Sequence, residues 1–147
     1  MTSTFSHFGI SVTDVDRSLR FYCEAFGFEP GANFDVGPEF GGLMELDAPR
    51  LRSQYIVRDG LSIELLGFAS PQPVPREGRR EMNRVGLTHL SFRVDDVDAV
   101  AAKVVELGGE VHPHTRTTMG DPAEGGLDFV YCTDPDGTRI ELMRLPG

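Results

Sequence analysis

Hydrophobic residues alternate with small or polar ones from Phe5 to Val12, a pattern that predicts a β-strand with one apolar face. His7 lies on the less hydrophobic face of this predicted strand. The period then changes to that of a helix, because apolar residues recur three or four positions apart at Val15, Leu19, Tyr22 and Phe26. Asp14 is the predicted N-cap of the helix, and Gly27 is its predicted end.

The remainder of the first half predicts further strands. The stretch 28–44 is rich in Gly, Pro and Phe, which indicates one short strand and a loop. Two apolar runs, 54–58 and 61–66, then flank the dipeptide Asp59-Gly60. Asp-Gly at this place indicates a two-residue hairpin turn, because both central positions need a positive φ. Glu64 is therefore expected in the body of the second strand of the hairpin.

The same pattern begins again 82 residues later, where 88–98 repeats 6–16 and His89 matches His7. A strand is predicted from Leu87 to Val94, and Asp95 or Asp96 caps a helix with the apolar stripe Val97, Val100, Ala101, Val104 and Leu107. A short strand (110–114), a loop (119–126) and a strand (127–132) follow. The turn at 134–137 then leads into a last strand that contains Glu141. One supersecondary unit is therefore present twice.

Each half reads as a strand, a helix and about three strands. The later connections are too short for crossover helices, so each predicted sheet is mostly antiparallel and curved, with a helix on its outer face. The predicted fold class is α+β with two tandem modules, 1–68 and 87–147, in one compact domain. The linker 69–86 contains three prolines and four arginines, and the arginines are interpreted as solvated rather than as an anion clamp: Arg76, Arg79, Arg80 and Arg84.

The composition narrows the function classes. A formal net charge of −9 over 147 residues disfavours a nucleic acid or an anionic membrane surface as a partner. No apolar run is long enough to cross a bilayer and the N-terminus resembles no signal peptide, so a cytoplasmic protein is expected. Cys23 and Cys132 share no chelating spacing, and both are expected to be small core residues.

Four residues at corresponding points of the two repeats form the candidate site: His7, Glu64, His89 and Glu141. Each glutamate lies between apolar neighbours in a strand, where its carboxylate must be paired, bound to a cation or turned to solvent. Any one of the four residues is also explained by an ordinary polar role. As a set, however, a pseudo-two-fold axis would bring them to one centre. Two imidazoles and two carboxylates suit Zn, Ni, Co, Fe or Mn.

Such a centre constrains the chemistry. Four protein ligands on an octahedral metal leave two adjacent positions for water or for two substrate oxygens, and the site can stabilise an enolate as it forms. Proton transfer at carbon needs a base, for which Glu64 and Glu141 are the candidate catalytic residues. The sequence contains no glycine-rich phosphate-binding motif, so it does not indicate a further cofactor. His112 and His114 share a strand face, but Pro113 between them favours an exposed edge.

Several motifs together resemble one known family. They are His7 within His-Phe-Gly-Ile-Ser-Val-Thr-Asp-Val-Asp, the segments 18–22 and 26–28, His89 in the second repeat, and Asp-Pro-Asp-Gly (134–137) before Ile140-Glu141-Leu142. Over nearly the whole chain they resemble the vicinal oxygen chelate superfamily, also called the glyoxalase/bleomycin-resistance/extradiol-dioxygenase group. The resemblance implies two βαβββ modules forming an eight-stranded, incompletely closed barrel around a divalent metal. The implied ligands are His7, Glu64, His89 and Glu141.

The ligand pattern is nearest to those of glyoxalase I and methylmalonyl-CoA epimerase, although the epimerases have glutamine where this chain has Glu64. The expected function is therefore a divalent-metal-dependent lyase or isomerase, glyoxalase-like or epimerase-like. It would act through a metal-stabilised enolate on a small substrate with vicinal oxygens, and a homodimer is expected. Two alternatives are a metal-free, ligand-sequestering protein of the bleomycin-resistance kind, which generally lacks the ligand set, and a non-haem iron dioxygenase, which uses three ligands.

Overall fold

The computed structural model describes residues 2–146, which divide between Pro75 and Arg76 into two compact units. The division falls within the segment assigned above to a linker. Each unit contains a strand, a helix and three further strands in that order. The α+β class and the two repeated βαβββ modules are thereby confirmed, and each module has an open four-stranded sheet.

The first module contains one sheet with the strand order β1-β4-β3-β2. Only the β1–β4 pair is parallel, and the other neighbours are antiparallel. The elements are β1 (Phe8–Val12), α1 (Val15–Phe26), β2 (Glu29–Val36), a 3₁₀ turn (Pro38–Phe40), the short helix α2 (Gly41–Met44), β3 (Arg50–Arg58) and β4 (Leu61–Ser70).

The second module repeats this topology with the order β5-β8-β7-β6, again with one parallel pair, β5–β8. Its elements are β5 (Leu90–Arg93), α3 (Val97–Glu106), β6 (Glu110–Met119), a 3₁₀ turn (Pro122–Glu124), β7 (Leu127–Thr133) and β8 (Arg139–Arg144). Among residues 2–146, no helix has the length and apolar character needed to span a membrane.

Helix α1 begins and ends where the sequence predicts. The Asp14 carboxylate accepts a hydrogen bond from the backbone N–H of Arg17 at 3.0 Å, and Gly27 ends the helix with φ 67°. The buried face differs in one respect from the predicted stripe, because Leu19 is only half-buried whereas Phe21 is fully buried. In the second module the cap is Asp96, whose side chain accepts from Ala99 N at 2.9 Å.

The Asp59-Gly60 turn is confirmed, since both residues have a positive φ, 51° and 75°. Two strands are longer than predicted. Strand β6 continues past Pro113 to Met119, because it is an edge strand and its pairing with β7 is interrupted between His112 and Thr117. Strand β2 likewise runs for eight residues, with an irregularity after Pro30.

The two cysteines occupy different environments. Cys132 on β7 is 0% exposed, as expected for a core residue, whereas Cys23 on α1 is only partly buried. Burial, together with the nearby negative charge of Asp134, raises the pKa of the Cys132 thiol to about 12. Burial raises the pKa of the Cys23 thiol as well, followed by the charges of Glu24 and Glu29.

Because the thiolate is the reactive form, we expect iodoacetamide at about pH 8 to modify Cys23 slowly and to leave Cys132 unmodified in the folded protein. In urea both thiols should react. Peptide mass spectrometry of the two samples measures this difference, and modification of Cys132 without unfolding would contradict the buried position of β7.

Candidate metal centre

The parallel pairing of β1 with β4 places His7 beside Glu64. Gly9 is the register partner of Glu64, and His7 lies two residues earlier on the same face, immediately before β1 begins. The Nε2 atom of His7 lies 3.1 Å from Oε2 of Glu64, and both side chains are largely shielded, with 31% and 19% exposed. The first module therefore contains a close histidine–glutamate pair.

The second module repeats the arrangement. Ser91 is the register partner of Glu141, and His89 precedes β5 as His7 precedes β1. The Nε2 atom of His89 lies 3.9 Å from Oε1 of Glu141, and the side chains are 25% and 21% exposed. We call the two pairs, His7 with Glu64 and His89 with Glu141, the first and second half-sites.

A hydroxyl group of the preceding residue contacts each histidine on its other nitrogen. Ser6 Oγ lies 2.8 Å from Nδ1 of His7, and Thr88 Oγ1 lies 2.9 Å from Nδ1 of His89. In the tautomer with the proton on Nδ1, the ring donates to the hydroxyl and leaves the Nε2 lone pair free to bind a metal ion on the side of the glutamate. This is the orienting arrangement usual for metal-binding histidines.

A tyrosine on the neighbouring strand contacts each half-site. Tyr55 is the register partner of Glu64 and contacts the His7 ring edge-on at 5.2 Å between ring centroids. Tyr131 is the register partner of Glu141 and contacts the His89 ring in the same way at 5.6 Å. Neither tyrosine is singled out by the sequence pattern, although the two-residue hairpin turn already implies that Tyr55 lies opposite Glu64.

The tyrosines are proton donors rather than phenolates at neutral pH. Burial raises the pKa of Tyr55, and the negative charge of Glu64 raises it further. Burial and Glu141 raise the pKa of Tyr131, against a smaller opposing effect of Arg139. Each half-site thus has a neutral phenol beside its carboxylate.

A serine hydroxyl donates to each carboxylate. Ser53 on β3 donates to Glu64 Oε1 at 2.6 Å, and Ser91 on β5 donates to Glu141 Oε1 at 2.8 Å. The serines come from different strands in the two modules, and Gly9 occupies the position that corresponds to Ser91. Each hydrogen bond holds the carboxylate on the histidine side of the sheet.

The donor atoms fit a divalent metal ion. Two ligands at neighbouring octahedral positions, with bonds of about 2.1 Å, lie about 3 Å apart. The first half-site, at 3.1 Å, meets this spacing as it stands, and the second, at 3.9 Å, meets it after a small side-chain rotation. Within residues 2–146, His, Cys, Asp and Glu side chains form no potential metal-binding group of three or more. Each module contains two of the four residues that the sequence predicts as ligands.

A cavity of about 210 Å³ lies next to the second half-site. Glu141 lines it together with two hydroxyl side chains, Thr115 and Thr117, two aromatic rings, Phe129 and Tyr131, and Val130. The cavity combines apolar walls with a few polar groups, as small-molecule sites do. The sequence did not indicate it, because Thr115 and Thr117 lie beyond the short strand predicted at 110–114 and before the loop predicted at 119–126.

His112 lies on the edge strand β6 but is buried, so the interpretation of this histidine as exposed is wrong. Its side chain is buried, 8% exposed as a residue, and its Nε2 lies 3.4 Å from Thr133 Oγ1, whereas His114 is exposed. Burial lowers the pKa of His112, and the positive charge of Arg79 lowers it further. A neutral, buried imidazole is thus a packing residue of the second module.

Comparisons with known proteins agree with this fold. The family model described as Glyoxalase/Bleomycin resistance protein/Dioxygenase superfamily matches residues 4–142. The chain is 34% identical over 136 residues to the uncharacterized protein YaeR of Escherichia coli (strain K12), covering 92% of both chains. It is 28% identical over 149 residues to the 2-epi-5-epi-valiolone epimerase of Actinomyces sp, covering 96% of this chain and 79% of the epimerase.

A solved structure of a glyoxalase family protein from Bacillus cereus has the same fold. It superposes with a TM-score of 0.81 at 19% sequence identity, covering 100% of this chain and 97% of the other. The repeated modules, the matched half-sites and the family model over residues 4–142 lead to one conclusion. The chain belongs to the Glyoxalase/Bleomycin resistance protein/Dioxygenase superfamily.

Proposed function

We propose that the protein is a divalent-metal-dependent lyase or isomerase that removes a proton from a carbon next to a carbonyl group. The observation that carries this proposal is the repetition of one half-site in both modules, with the same histidine–glutamate pair, the same hydroxyl on Nδ1 and the same facing tyrosine. The superfamily includes epimerases and lyases, and this supports the proposed reaction class.

The proposed ligands are His7, Glu64, His89 and Glu141. Each metal ion would be bound by one first half-site and one second half-site, from the same chain or from two chains. Imidazole and carboxylate donors without thiolates suit Zn, Ni, Co, Mn or Fe. When bound, such a cation polarises a carbonyl oxygen and stabilises the negative charge that develops as the proton leaves. The proposed assembly is a cytoplasmic homodimer, with a small molecule as substrate.

Of the two glutamates, Glu141 is the better candidate for the base. It lines the 210 Å³ cavity. Its carboxylate lies 3.9 Å from His89, whereas the carboxylate of Glu64 lies 3.1 Å from His7. A carboxylate that is held mainly by Ser91 can turn towards a substrate carbon in the cavity and accept its proton. Glu64, held closely by His7 and Ser53, then keeps the ligand role.

Tyr131 and the threonines of the cavity would position the substrate. The neutral phenol of Tyr131 can donate a hydrogen bond to a substrate oxygen. The hydroxyls of Thr115 and Thr117 donate to the backbone carbonyls of His112 and Thr115, so each can accept a hydrogen bond from the substrate. The ring of Phe129 excludes water from this side of the cavity. These contacts favour a substrate with two oxygens and a short carbon skeleton.

The test is metal analysis of protein purified without chelators, followed by proton exchange into deuterated water. We expect stoichiometric metal, and exchange of the α-proton of small α-hydroxyketones or thioesters detected by NMR. Chelator treatment should abolish the exchange, and added metal should restore it. Tight ligand binding without metal would instead indicate sequestration, and oxygen consumption would indicate a dioxygenase; either result would overturn the proposal.

A further inference from the structure

Five arginines line a small surface cavity in the second module, accompanied by one carboxylate, Glu81. Four of the arginines belong to the segment before β5, and the fifth is the first residue of β8: Arg76, Arg79, Arg80, Arg84 and Arg139. From the sequence alone, the first four were interpreted as solvated side chains of the linker. The structure instead brings them around one cavity, a concentrated positive charge in a chain of net charge −9.

The arginines themselves fix the shape of this segment. Arg139 Nη2 donates to the backbone carbonyl of Arg80 at 2.7 Å, and Arg80 Nη2 donates to the carbonyl of Val85 at 3.0 Å. Arg84 pairs with Glu81 at 3.3 Å, which neutralises the acidic residue of the lining. The cavity therefore has a defined wall and keeps an excess of positive charge.

Part of the hydrogen-bonding capacity of the cavity is unused. The Nε atom of Arg139 is buried and has no hydrogen-bond partner in the described part of the chain. A buried N–H group without an acceptor is costly, so a movement of the Arg139 side chain that brings Nε to an anion in the cavity is favoured. Arg76 and Arg79 have no ion-pair partner within residues 2–146, and their guanidinium groups can serve the same ligand.

The cavity adjoins the second half-site. Thr88 lines it, and the hydroxyl of Thr88 is the group that contacts Nδ1 of His89. Arg139 precedes Glu141 by two residues on β8, so both lie on the same face with their Cα atoms about 7 Å apart. The guanidinium of Arg139 also lies 5.5 Å from the centre of the Tyr131 ring.

We infer that this arginine cavity is a subsite for the oxyanion head, a carboxylate or a phosphate, of an anionic substrate. Its volume of about 20 Å³ admits one water-sized group, so it takes oxygens of the head rather than the body of a ligand. The inference rests on the proposed function for the rest of the substrate, which would extend along β8 towards Glu141. The substrate class is then a small oxygenated compound that carries an anionic group beyond its reacting carbons.

Anion binding to metal-free, chelator-treated protein tests the subsite independently of the metal centre. Titration calorimetry with inorganic phosphate and, separately, with propionate at constant ionic strength measures the affinity of each head group. Arg79→Gln should weaken the preferred anion by about 10-fold or more, because a charged hydrogen-bond donor is lost. The matched control is Arg93→Gln, an exposed arginine on β5 outside the cavity, which should change the affinity by less than about 2-fold.

The outcomes separate the subsite from the proposed function. Tighter binding of phosphate supports a phosphorylated substrate, and tighter binding of propionate supports a carboxylic acid. Binding of neither anion, or equal effects of the Arg79 and Arg93 substitutions, would overturn the subsite even if the protein contains metal. Anion binding to a protein that never acquires metal would leave the subsite standing and overturn the metal centre. Unchanged circular dichroism and metal content of Arg79→Gln exclude a folding defect.

Discussion

Replacing His89 by alanine is expected to remove the bound metal and to lower the rate of substrate α-proton exchange by at least about 100-fold. The substitution takes away the Nε2 donor of the second half-site and leaves the hydrogen bond from Ser91 to Glu141 in place. The three remaining proposed ligands would bind a divalent ion more weakly than four. Elemental analysis and NMR exchange rates on the purified variant measure both effects.

The matched control is His114→Ala. His114 is an exposed histidine of the same module and lies on β6, away from the half-site, so its loss should leave metal content and exchange unchanged. If His89→Ala keeps full metal content and full exchange, the second half-site is not a metal site. Equal losses in both variants would mean that the effect comes from general destabilisation.

A mixture of His7→Ala and His89→Ala subunits extends this experiment to the assembly. If each ion is held by half-sites from two subunits of a homodimer, random mixing restores about a quarter of the intact ligand sets. If both half-sites of each ion belong to one chain, mixing restores none. The regained exchange activity therefore identifies which chain completes the centre.

The repeated modules could be predicted from the sequence because each local signal agreed with the fold. The caps Asp14 and Asp96, the stop at Gly27 and the Asp59-Gly60 turn are short-range features that depend on a few neighbouring residues. The Asp59-Gly60 turn also sets the register of β3 with β4, so it implied that Tyr55 faces Glu64. No such inference was possible for Tyr131, because the longer turn before Arg139 does not determine a register.

The features that the sequence did not indicate depend on contacts between distant residues. The wall of the arginine cavity is held by hydrogen bonds from Arg139 to a segment nearly 60 positions earlier, and composition alone classed that segment as a linker. The burial of His112 follows from the pairing of β6 with β7. The neighbouring Pro113 made this pairing unexpected. A proline on an edge strand interrupts pairing locally without ending the strand.

Replacing Arg116 by methionine is expected to lower the free energy of unfolding by about 3 kcal/mol. Arg116 Nε and Nη2 donate to both carboxylate oxygens of Asp128 at 2.6 Å, and Nη1 donates to Asp98 at 2.6 Å. The Asp128 side chain is only 5% exposed, so the substitution leaves a buried carboxylate without its cation. Urea unfolding followed by circular dichroism measures the loss, since the chain contains no tryptophan.

The first module supplies the matched control, Arg52→Met. Arg52 Nη1 pairs at 2.7 Å with Asp16, the residue that corresponds to Asp98, but the Asp16 side chain is 80% exposed and water can replace the arginine. Arg52 Nη2 also donates to the Gln54 side chain at 3.2 Å, so the substitution should cost about 1 kcal/mol, which is less than the cost of Arg116→Met. Equal losses in the two variants would contradict the view that the burial of Asp128, rather than the ion pair itself, makes Arg116 important.

The pH dependence of the Arg116→Met variant tests the interaction of Arg116 with Asp98. The hydrogen bond and the charge of Arg116 lower the pKa of Asp98 from its ordinary value of 3.8. A carboxylate whose pKa is lowered by folding stabilises the protein above its unfolded-state pKa, and this contribution disappears as the pH falls through the folded-state value. The stability difference between wild type and Arg116→Met should therefore be smaller at about pH 3 than at neutral pH. A difference that grows on acidification would show that Asp98 gains nothing from Arg116.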